Sequence, residues 1–561
     1  PVLMKPPLLP PGRAAVRAGG APAPDRQDPP PERGAAVIAG LTAASRGMGL
    51  VRTLVATGVL GLTYLGNTYT STNLVSNLLF DVFAGGALAA VLVPALSAAL
   101  VSDDPAEAQR CASAFANTVL LVLTPVVLAG IALRGPIMAA LTSGVVDPAI
   151  RSAERDLGGF FLLLFLPQVW LYGIGLVTTG VLHAHHRFAG PALAPLVSSV
   201  VVTASYLAYA GIEGVNGQNI RQVSATGRWI LGLGTTAGVA ALSLSVLVPA
   251  WRLGLRWRPV LRIPPEARRL TRRLLTSAVV AVGMEQVLLA VMLLLGNRVE
   301  GGVVAYWLAF TLLELPWAVL AVPIAIAAFP GLAGSAARGE AGEFAERCAT
   351  ASRNLAVLVF GGTAGILVLA GPGSQLLLDA GVGGQGSAHL LAPAVAAFAP
   401  GLVGYGAYAL LTRVAYALGD GRSPALGAVA GFGSATVLSF LAYPFFHGRS
   451  LIAALAGAFS VGMTLAAALM LRRLSATAGP RAFAGVATTC GRALGAAAAA
   501  ILAGLGAGAV LNGPDLAHHV AAVLGAGAAT ASVYLGVLHG LGDRQLKRAF
   551  TAMRAAGVTG R

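Results

Sequence analysis

Cysteine is nearly absent. Cys111, Cys348 and Cys490 stand far apart in 561 residues, with no CxxC pair and no Cys/His spacing, so neither a disulfide framework nor a zinc site is expected. Charge is scarce as well, at 11% of residues against 56% hydrophobic, and the mean hydropathy is +0.77. No soluble domain of this length has that balance. No Walker motif occurs, and no glycine-rich run follows a strand-like segment to make a phosphate loop, so no nucleotide-hydrolysing enzyme is expected. What is present is an all-α polytopic membrane protein. The formal charge of +16 would suit a nucleic-acid partner, but the basic residues cluster in short loops between apolar spans. They therefore report topology, and no nucleic acid is expected.

Apolar stretches long enough to cross a hydrocarbon core of about 30 Å recur along the chain. Their approximate limits are 36–62, 70–100, 111–133, 157–182, 190–211, 228–250, 274–297, 302–328, 348–371, 388–418, 424–446, 449–472, 485–511 and 517–541, about fourteen transmembrane helices. The Pro-, Gly- and Arg-rich start, residues 1–34, reads as a disordered cytosolic tail because its prolines break any signal-peptide core. The loops at 252–273 and 472–481 and the tail at 546–561 are rich in basic residues, and the loop at 183–187 is HAHHR. The intervening loops, 64–70, 447–450 and 512–519, carry few basic residues. The positive-inside rule then puts both termini in the cytoplasm, with the chain in the cytoplasmic membrane.

The sequence repeats itself. VPALSAALVSDDPAEAQRCASAFAN at 93–117 returns as FPGLAGSAARGEAGEFAERCATASRN at 329–354. Pro167, Tyr172-Gly173 and Pro191-Ala192-Leu193 return as Pro400, Tyr405-Gly406 and Pro424-Ala425-Leu426, a constant displacement of 233 positions. Two homologous six-helix lobes are expected, 35–255 and 256–475, with two extra C-terminal helices at 476–545. Six is even, so both lobes enter the membrane in the same sense. Alternating-access transporters are built this way, with substrate between the lobes.

Arg46 and Arg52 stand in the first apolar span, where a lipid-facing helix would carry Leu or Val. An arginine at mid-bilayer depth costs about 2.5–3.5 kcal/mol on insertion scales, so it faces a wet cavity or a partner, or else snorkels to the headgroups. Two on one span suggest a cavity for anions. The trio His183, His185 and His186 reads as a polar loop rather than a metal site.

SRGMGLVR at 45–52, SNLLFDVFAGGALAAVLVPAL at 76–96, LHAHHRFAGPALAP at 182–195 and RVAYALGDGRSP at 413–424 resemble the signature segments of the MurJ/MviN lipid II flippases of the MOP exporter superfamily. The likeness runs over roughly residues 36–545 and is nearest the actinobacterial branch, whose members often carry a cytoplasmic extension after the last span; none is expected beyond Arg561. The resemblance implies a V-shaped, two-lobed flippase that moves undecaprenyl-pyrophosphate-linked peptidoglycan precursor across the membrane by alternating access. It also implies that Arg46, Arg52, Ser45 and Asn77 line the cavity, and that the last two spans form a groove for the lipid tail.

The departures from the family are as informative as the matches. The family usually has arginine at the positions of Phe80 and Thr311 and an acidic residue at Asn67. Here span two has the acidic Asp81 and span seven the pair Glu285-Gln286, where the family usually has a neutral polar residue before the Gln; Glu285 and Gln286 are expected in the substrate cavity, with Glu285 paired to Arg46 or Arg52. Glu314, ahead of Pro316, is expected at a helix break; Arg413 and Asp420 are expected to tie a cytosolic turn. Asp81, Glu314, Arg413 and Asp420 are the structural or gating candidates. No cofactor is expected, and coupling to the membrane potential or an ion gradient is the expected drive. Expected partners are lipid II, membrane lipids and cell-wall synthesis or division proteins. The alternatives are an exporter of another polyprenyl-linked glycan or small molecule, or a non-transporting cell-wall scaffold.

Overall fold

The structure is a computed structural model that describes residues 31–85, 105–185, 187–215, 219–253, 257–260, 265–383 and 388–541. Residues 1–30 of the first expected tail, the second tail at 546–561, residues 93–104 of the first repeat copy and residues 86–100 of the second expected span lie outside these residues, while 31–34, expected as the end of the disordered tail, are helical and open the first helix. Every described element is helical. In chain order they are α1 (Pro31–Leu60), α2 (Tyr64–Phe80), α3 (Pro105–Ala132), α4 (Arg134–Leu141), α5 (Pro148–Phe165), α6 (Gln168–Ala184), α7 (Ala189–Glu213), α8 (Ala225–Arg252) and α9 (Pro265–Gly296). The second half comprises α10 (Gly302–Pro316), α11 (Val322–Ala337), α12 (Ala341–Asp379), α13 (Ala388–Phe398), α14 (Gly401–Ala417), α15 (Arg422–Ala442), α16 (Arg449–Ala478), α17 (Val486–Leu511) and α18 (Leu516–Gly540).

Among the described residues, eleven helical segments are long and apolar enough to cross a membrane, or twelve if α13 and α14, bent by 42°, form one span. The expected fourteen also included 36–62 and 70–100, which are not among these. The expected loop at 64–70 is instead the first two turns of α2. Thr63 starts that helix by accepting the Gly66 amide on its side chain, which leaves only Gly61–Thr63 to make the turn.

Local chemistry sets the other boundaries. Asp147 caps α5 by accepting the Ala149 amide at 2.8 Å, with Pro148 at the first helical position, where proline has no hydrogen bond to lose. Ser224 caps α8 through the Gly227 amide at 3.1 Å. Pro167 and Pro400, the repeat-related prolines, both interrupt a span. They have nearly the same backbone geometry, φ −60° and ψ −22° at the first, φ −60° and ψ −27° at the second. A second irregularity also recurs: α2 runs into a π-helical turn at Asp81–Gly85, and α10 into another at Trp317–Ala321. The expected break near Glu314 is therefore a wide turn just beyond Pro316, which cannot donate the backbone bond that a regular helix needs.

With lipid as apolar as leucine, association rests on close packing. A Cβ on Gly462 of α16 would come within 2.3 Å of the Gly431 carbonyl of α15, so side chains of any size would force these backbones apart. Helices α17 and α18 pack on each other and on α12, where the Tyr534 hydroxyl donates to the Val357 carbonyl. The two halves of the chain meet around the α1–α2 turn and the α9–α10 turn. There the Asn67 amide group donates to the Val299 carbonyl at 2.8 Å and accepts from the Val303 amide at 3.0 Å. Asn297 donates to the Ser71 hydroxyl at 2.8 Å, and the Leu62 amide to the Gly383 carbonyl at 3.2 Å. Away from this seam Val51, Phe83 and Val280 remain exposed. The seam is tight at one end of the bundle.

Candidate functional site

A cavity of about 340 Å³ lies below the seam, walled by α1, α2, α6, α7, α8 and α10. Arg52 reaches it from α1, and Asn73 and Asn77 from α2, with Tyr69, Tyr172 and Tyr206 around them. Val304 and Trp307 of α10 close it from the second half of the chain. Among the described residues no acidic side chain is in its wall, although the Asp81 charge reaches Tyr172 as the Arg52 charge does, and Arg52 makes no ion pair with a described residue. One cation thus faces a lining of hydroxyls, amides and aromatic rings, an arrangement suited to an anion with several oxygen acceptors.

The floor is rigid. Tyr69 shares hydrogen bonds with the Tyr206 hydroxyl, at 3.0 Å, and with the Thr235 hydroxyl. Its ring is held edge-on by Phe161 and Phe165 at 5.6 and 5.8 Å, and those two stack on each other. The Arg52 charge reaches Tyr69, Tyr172 and Tyr206. Repeat symmetry places the rings: Tyr172 meets Phe80 at 5.4 Å, while its counterpart Tyr405 stacks on Trp317 at 4.6 Å.

The expected site residues do not all converge. Arg52 and Asn77 share the cavity; Arg46, Ser45, Glu285 and Gln286 are not in its wall. Helix geometry gives the reason. Residues six apart on an α-helix point about 120° away from each other, so Arg46 and Arg52 cannot serve one face of α1. Ser45, seven residues before Arg52, shares its face two turns away and lies outside the enclosed space.

Arg46 is exposed and acts electrostatically on Glu314. Glu285 is exposed on α9, and its charged neighbours are Asp81 and Glu314. The expected pairing of Glu285 with an arginine is therefore not made among the described residues; three carboxylates share this second region with one guanidinium. Gln286 is only 6% exposed, and its Oε1 has no hydrogen-bond partner, so it faces the protein interior rather than a cavity. Arg413 is half-buried on α14. Asp420 accepts the Arg422 and Ser423 amides at 2.9 and 3.1 Å and the Ser423 hydroxyl, and Arg473 donates to that hydroxyl at 3.2 Å. These contacts hold the turn into α15.

Sequence reasoning noted Asn67 only for the charge it lacks, and missed Ser71, Asn297 and Arg298. Arg298 donates to the Tyr443 hydroxyl and lies 4.5 Å from the centre of that ring, tying the end of α9 to the end of α15. Glu154 was also missed. It is 1% exposed, bonds to the Thr68 hydroxyl at 3.2 Å and leaves Oε2 without a partner. Its place before an apolar run was the only signal.

Residues 56–514 match the family described as "Lipid II flippase MurJ". The "Probable lipid II flippase MurJ" of Synechocystis sp. is 24% identical, over 84% of this chain and 86% of that protein. The protein of the same description from Vibrio cholerae is 22% identical over 78% and 82%. A solved structure of "Lipid II flippase MurJ, inward closed conformation" superposes with a TM-score of 0.70 at 16% identity, over 90% of this chain and 99% of that one. An inward-facing multidrug resistance MATE family transporter of the MOP superfamily reaches 0.61 at 14% identity, over 80% and 98%. At those identities the structural likeness speaks to fold alone.

Proposed function

The chain belongs to the MurJ lipid II flippase family, and we propose that its Arg52 cavity receives the pyrophosphate of a polyprenyl-linked peptidoglycan precursor during transfer across the cytoplasmic membrane. It is a multi-pass membrane transporter. The observation that carries the cavity assignment is Arg52 itself: a guanidinium on α1 that has no carboxylate partner among the described residues, in a cavity whose described wall holds no acidic group. Such a charge is costly to leave unpaired. A diphosphate would offset that cost through bidentate hydrogen bonds, and the guanidinium stays charged through the cycle. Asn73, Asn77 and the Tyr172 hydroxyl supply donors for the remaining oxygens.

Alternating access follows from where the bonds lie. The Asn67–Val303 and Asn297–Ser71 bonds hold one end of the two lobes together, and by the loop-charge argument that end is the outer one, with both termini in the cytoplasm. The polar head enters from the opposite end while the polyprenyl chain stays in lipid. Transfer then requires the seam bonds to break and the other ends of the lobes to approach.

A drug exporter of the MOP type would want an acidic cavity around a cationic substrate, and this cavity has no acid. The three carboxylates near Arg46 instead support coupling to a cation gradient or to the potential, where one charge crossing the field is worth about 2.3 kcal/mol per 100 mV. Lipid transfer in vesicles that is indifferent to both an imposed potential and an ion gradient would remove that part of the proposal.

The cavity role is tested by complementation in cells depleted of their own flippase, with membrane levels of each variant measured. Wild type is expected to restore growth, Arg52→Ala to fail at equal level, and Arg52→Lys to restore it weakly because the charge remains without the fork. Full rescue by Arg52→Ala overturns the assignment.

A further inference from the structure

A cavity of about 480 Å³ lies away from Arg52, between α12, α13, α16 and α17. Its polar residues come from four elements. Gln375 is one turn before the end of α12, His389 is the second residue of α13, Arg449 opens α16 and Asn512 follows the end of α17. None of the four makes a side-chain hydrogen bond or ion pair with a described residue, and no acid is in the wall. The neighbouring carboxylate, Asp379, is engaged by His519 of α18.

The wall changes character with depth. Gln375 and Asn512 sit at helix ends, whereas Val368 and Gly504, on the same two helices, lie seven and eight residues inward, about 10–12 Å deeper at 1.5 Å per residue. At that depth the lining is Val368, Gly504 and Leu505. Span ends coincide with the headgroup layer and their interiors with hydrocarbon. The cavity is therefore basic and hydrogen-bonding at headgroup level and apolar below, the profile of an amphiphile with an anionic head.

We propose that this cavity binds the phosphate of an anionic membrane phospholipid, with Arg449 and His389 on the phosphate oxygens, Gln375 and Asn512 on the adjoining polar atoms, and the first methylenes against Val368 and Leu505. Guanidinium–phosphate contacts are charge-assisted. Inorganic phosphate offers the same oxygens but nothing for the apolar depth. The site is separate from the pyrophosphate cavity, and it lies where α17 and α18 join the second lobe.

The test is thermal unfolding of the full chain in mild detergent, titrated separately with phosphatidylglycerol, phosphatidylcholine and inorganic phosphate, since a ligand that binds the folded state raises the midpoint further as its free concentration exceeds its Kd. Phosphatidylglycerol is expected to raise the midpoint of the wild type, with phosphatidylcholine and inorganic phosphate giving little. The double variant Arg449→Ala/His389→Ala is expected to need about tenfold more phosphatidylglycerol for the same shift, the equivalent of about 1.4 kcal/mol, while Arg449→Lys stays near wild type. Arg52→Ala is expected to respond as wild type does, which separates this site from the transport cavity. If the double variant fails to fold, Leu505→Trp, which fills the apolar depth with Arg449 and His389 intact, is expected to weaken the response. An unchanged response in the folded double variant or in Leu505→Trp overturns the proposal. So does an equal response to phosphatidylcholine, or to phosphate alone.

Discussion

The side chain of Asn67 spans the seam to Val303, accepting that residue's amide at 3.0 Å while its own NH2 reaches the Val299 carbonyl at 2.8 Å. One neutral amide satisfies a donor and an acceptor at the α9–α10 turn, 232 and 236 positions away in sequence. A carboxylate in its place would serve the donor and repel the carbonyl. Asn67→Ala is expected to weaken closure at this end by about 1–3 kcal/mol, the cost of leaving buried polar groups unmatched. Labelling of a cysteine at Thr70 by a membrane-impermeant maleimide added from outside should rise in Asn67→Ala over the Asn67 parent; equal labelling in both would remove Asn67 from the gate.

Gly301 begins α10 at φ +68°, and a Cβ there would lie 2.3 Å from the Leu62 carbonyl oxygen. Both the left-handed backbone and the contact exclude a side chain. Gly301→Ala is expected to cost more than about 2 kcal/mol, read as a lower unfolding midpoint in detergent. A midpoint within a degree of wild type would mean that the turn rearranges freely.

Arg46 and Arg52 are expected to behave differently. Arg52→Ala should abolish transport whatever accompanies it. Arg46→Ala should lower transport in part, and adding Glu314→Gln should recover some of the loss, because the carboxylate that Arg46 acts on is then neutral. The coupling expected from such a pair is about 0.5–1 kcal/mol, two- to fivefold in rate. Losses in lipid transfer that simply add would show that the two side chains are independent.

Asp420 lies in the turn before α15, outside the spans. Partial burial pushes its carboxyl up, but the Ser423 hydroxyl and the Ser423 and Arg422 amides outweigh that push and hold it below the usual carboxylate range. A carboxyl whose folded value is lowered contributes stability that is present above its unfolded value, about 3.9, and lost as pH falls through the folded value. Asp420→Ala is expected to lose about 1 kcal/mol at neutral pH, the usual worth of such a cap, and to have a flatter acid limb below about pH 4. Unfolding midpoints measured from pH 3 to 7 decide it: identical acid limbs would leave Asp420 without this role.

Much of the architecture was legible because the membrane makes hydrophobicity one-dimensional. Runs of apolar residues mark spans with little help from tertiary contacts, and the 233-residue displacement of Pro167 and Tyr172 onto Pro400 and Tyr405 marked the repeat. The site was legible only in part. Arg52 and Asn77 meet in one cavity; that Arg46 points elsewhere was available from its six-residue spacing on the same helix, had helical phase been applied. Glu285 was paired with arginine because opposite charges attract, yet its charged neighbours are Asp81 and Glu314. Which helix faces which is set by packing between segments far apart in sequence, and no local pattern carries that information.

The sequence by itself determined that this is a helical, multi-pass membrane protein, because composition and apolar runs are properties of the chain in order, and that it belongs to the MurJ family, because residues 56–514 match that family's pattern. Only the tertiary structure decided that Asn67 and Ser71 join Val299, Val303 and Asn297 in a seam, that Arg52 faces a cavity with no acid among its described lining residues, and that Arg449 and His389 line one cavity with an apolar depth. The physical reason is that each of these depends on rotation about a helix axis and on close approach between helices, quantities that hydrophobicity leaves open and side-chain packing settles.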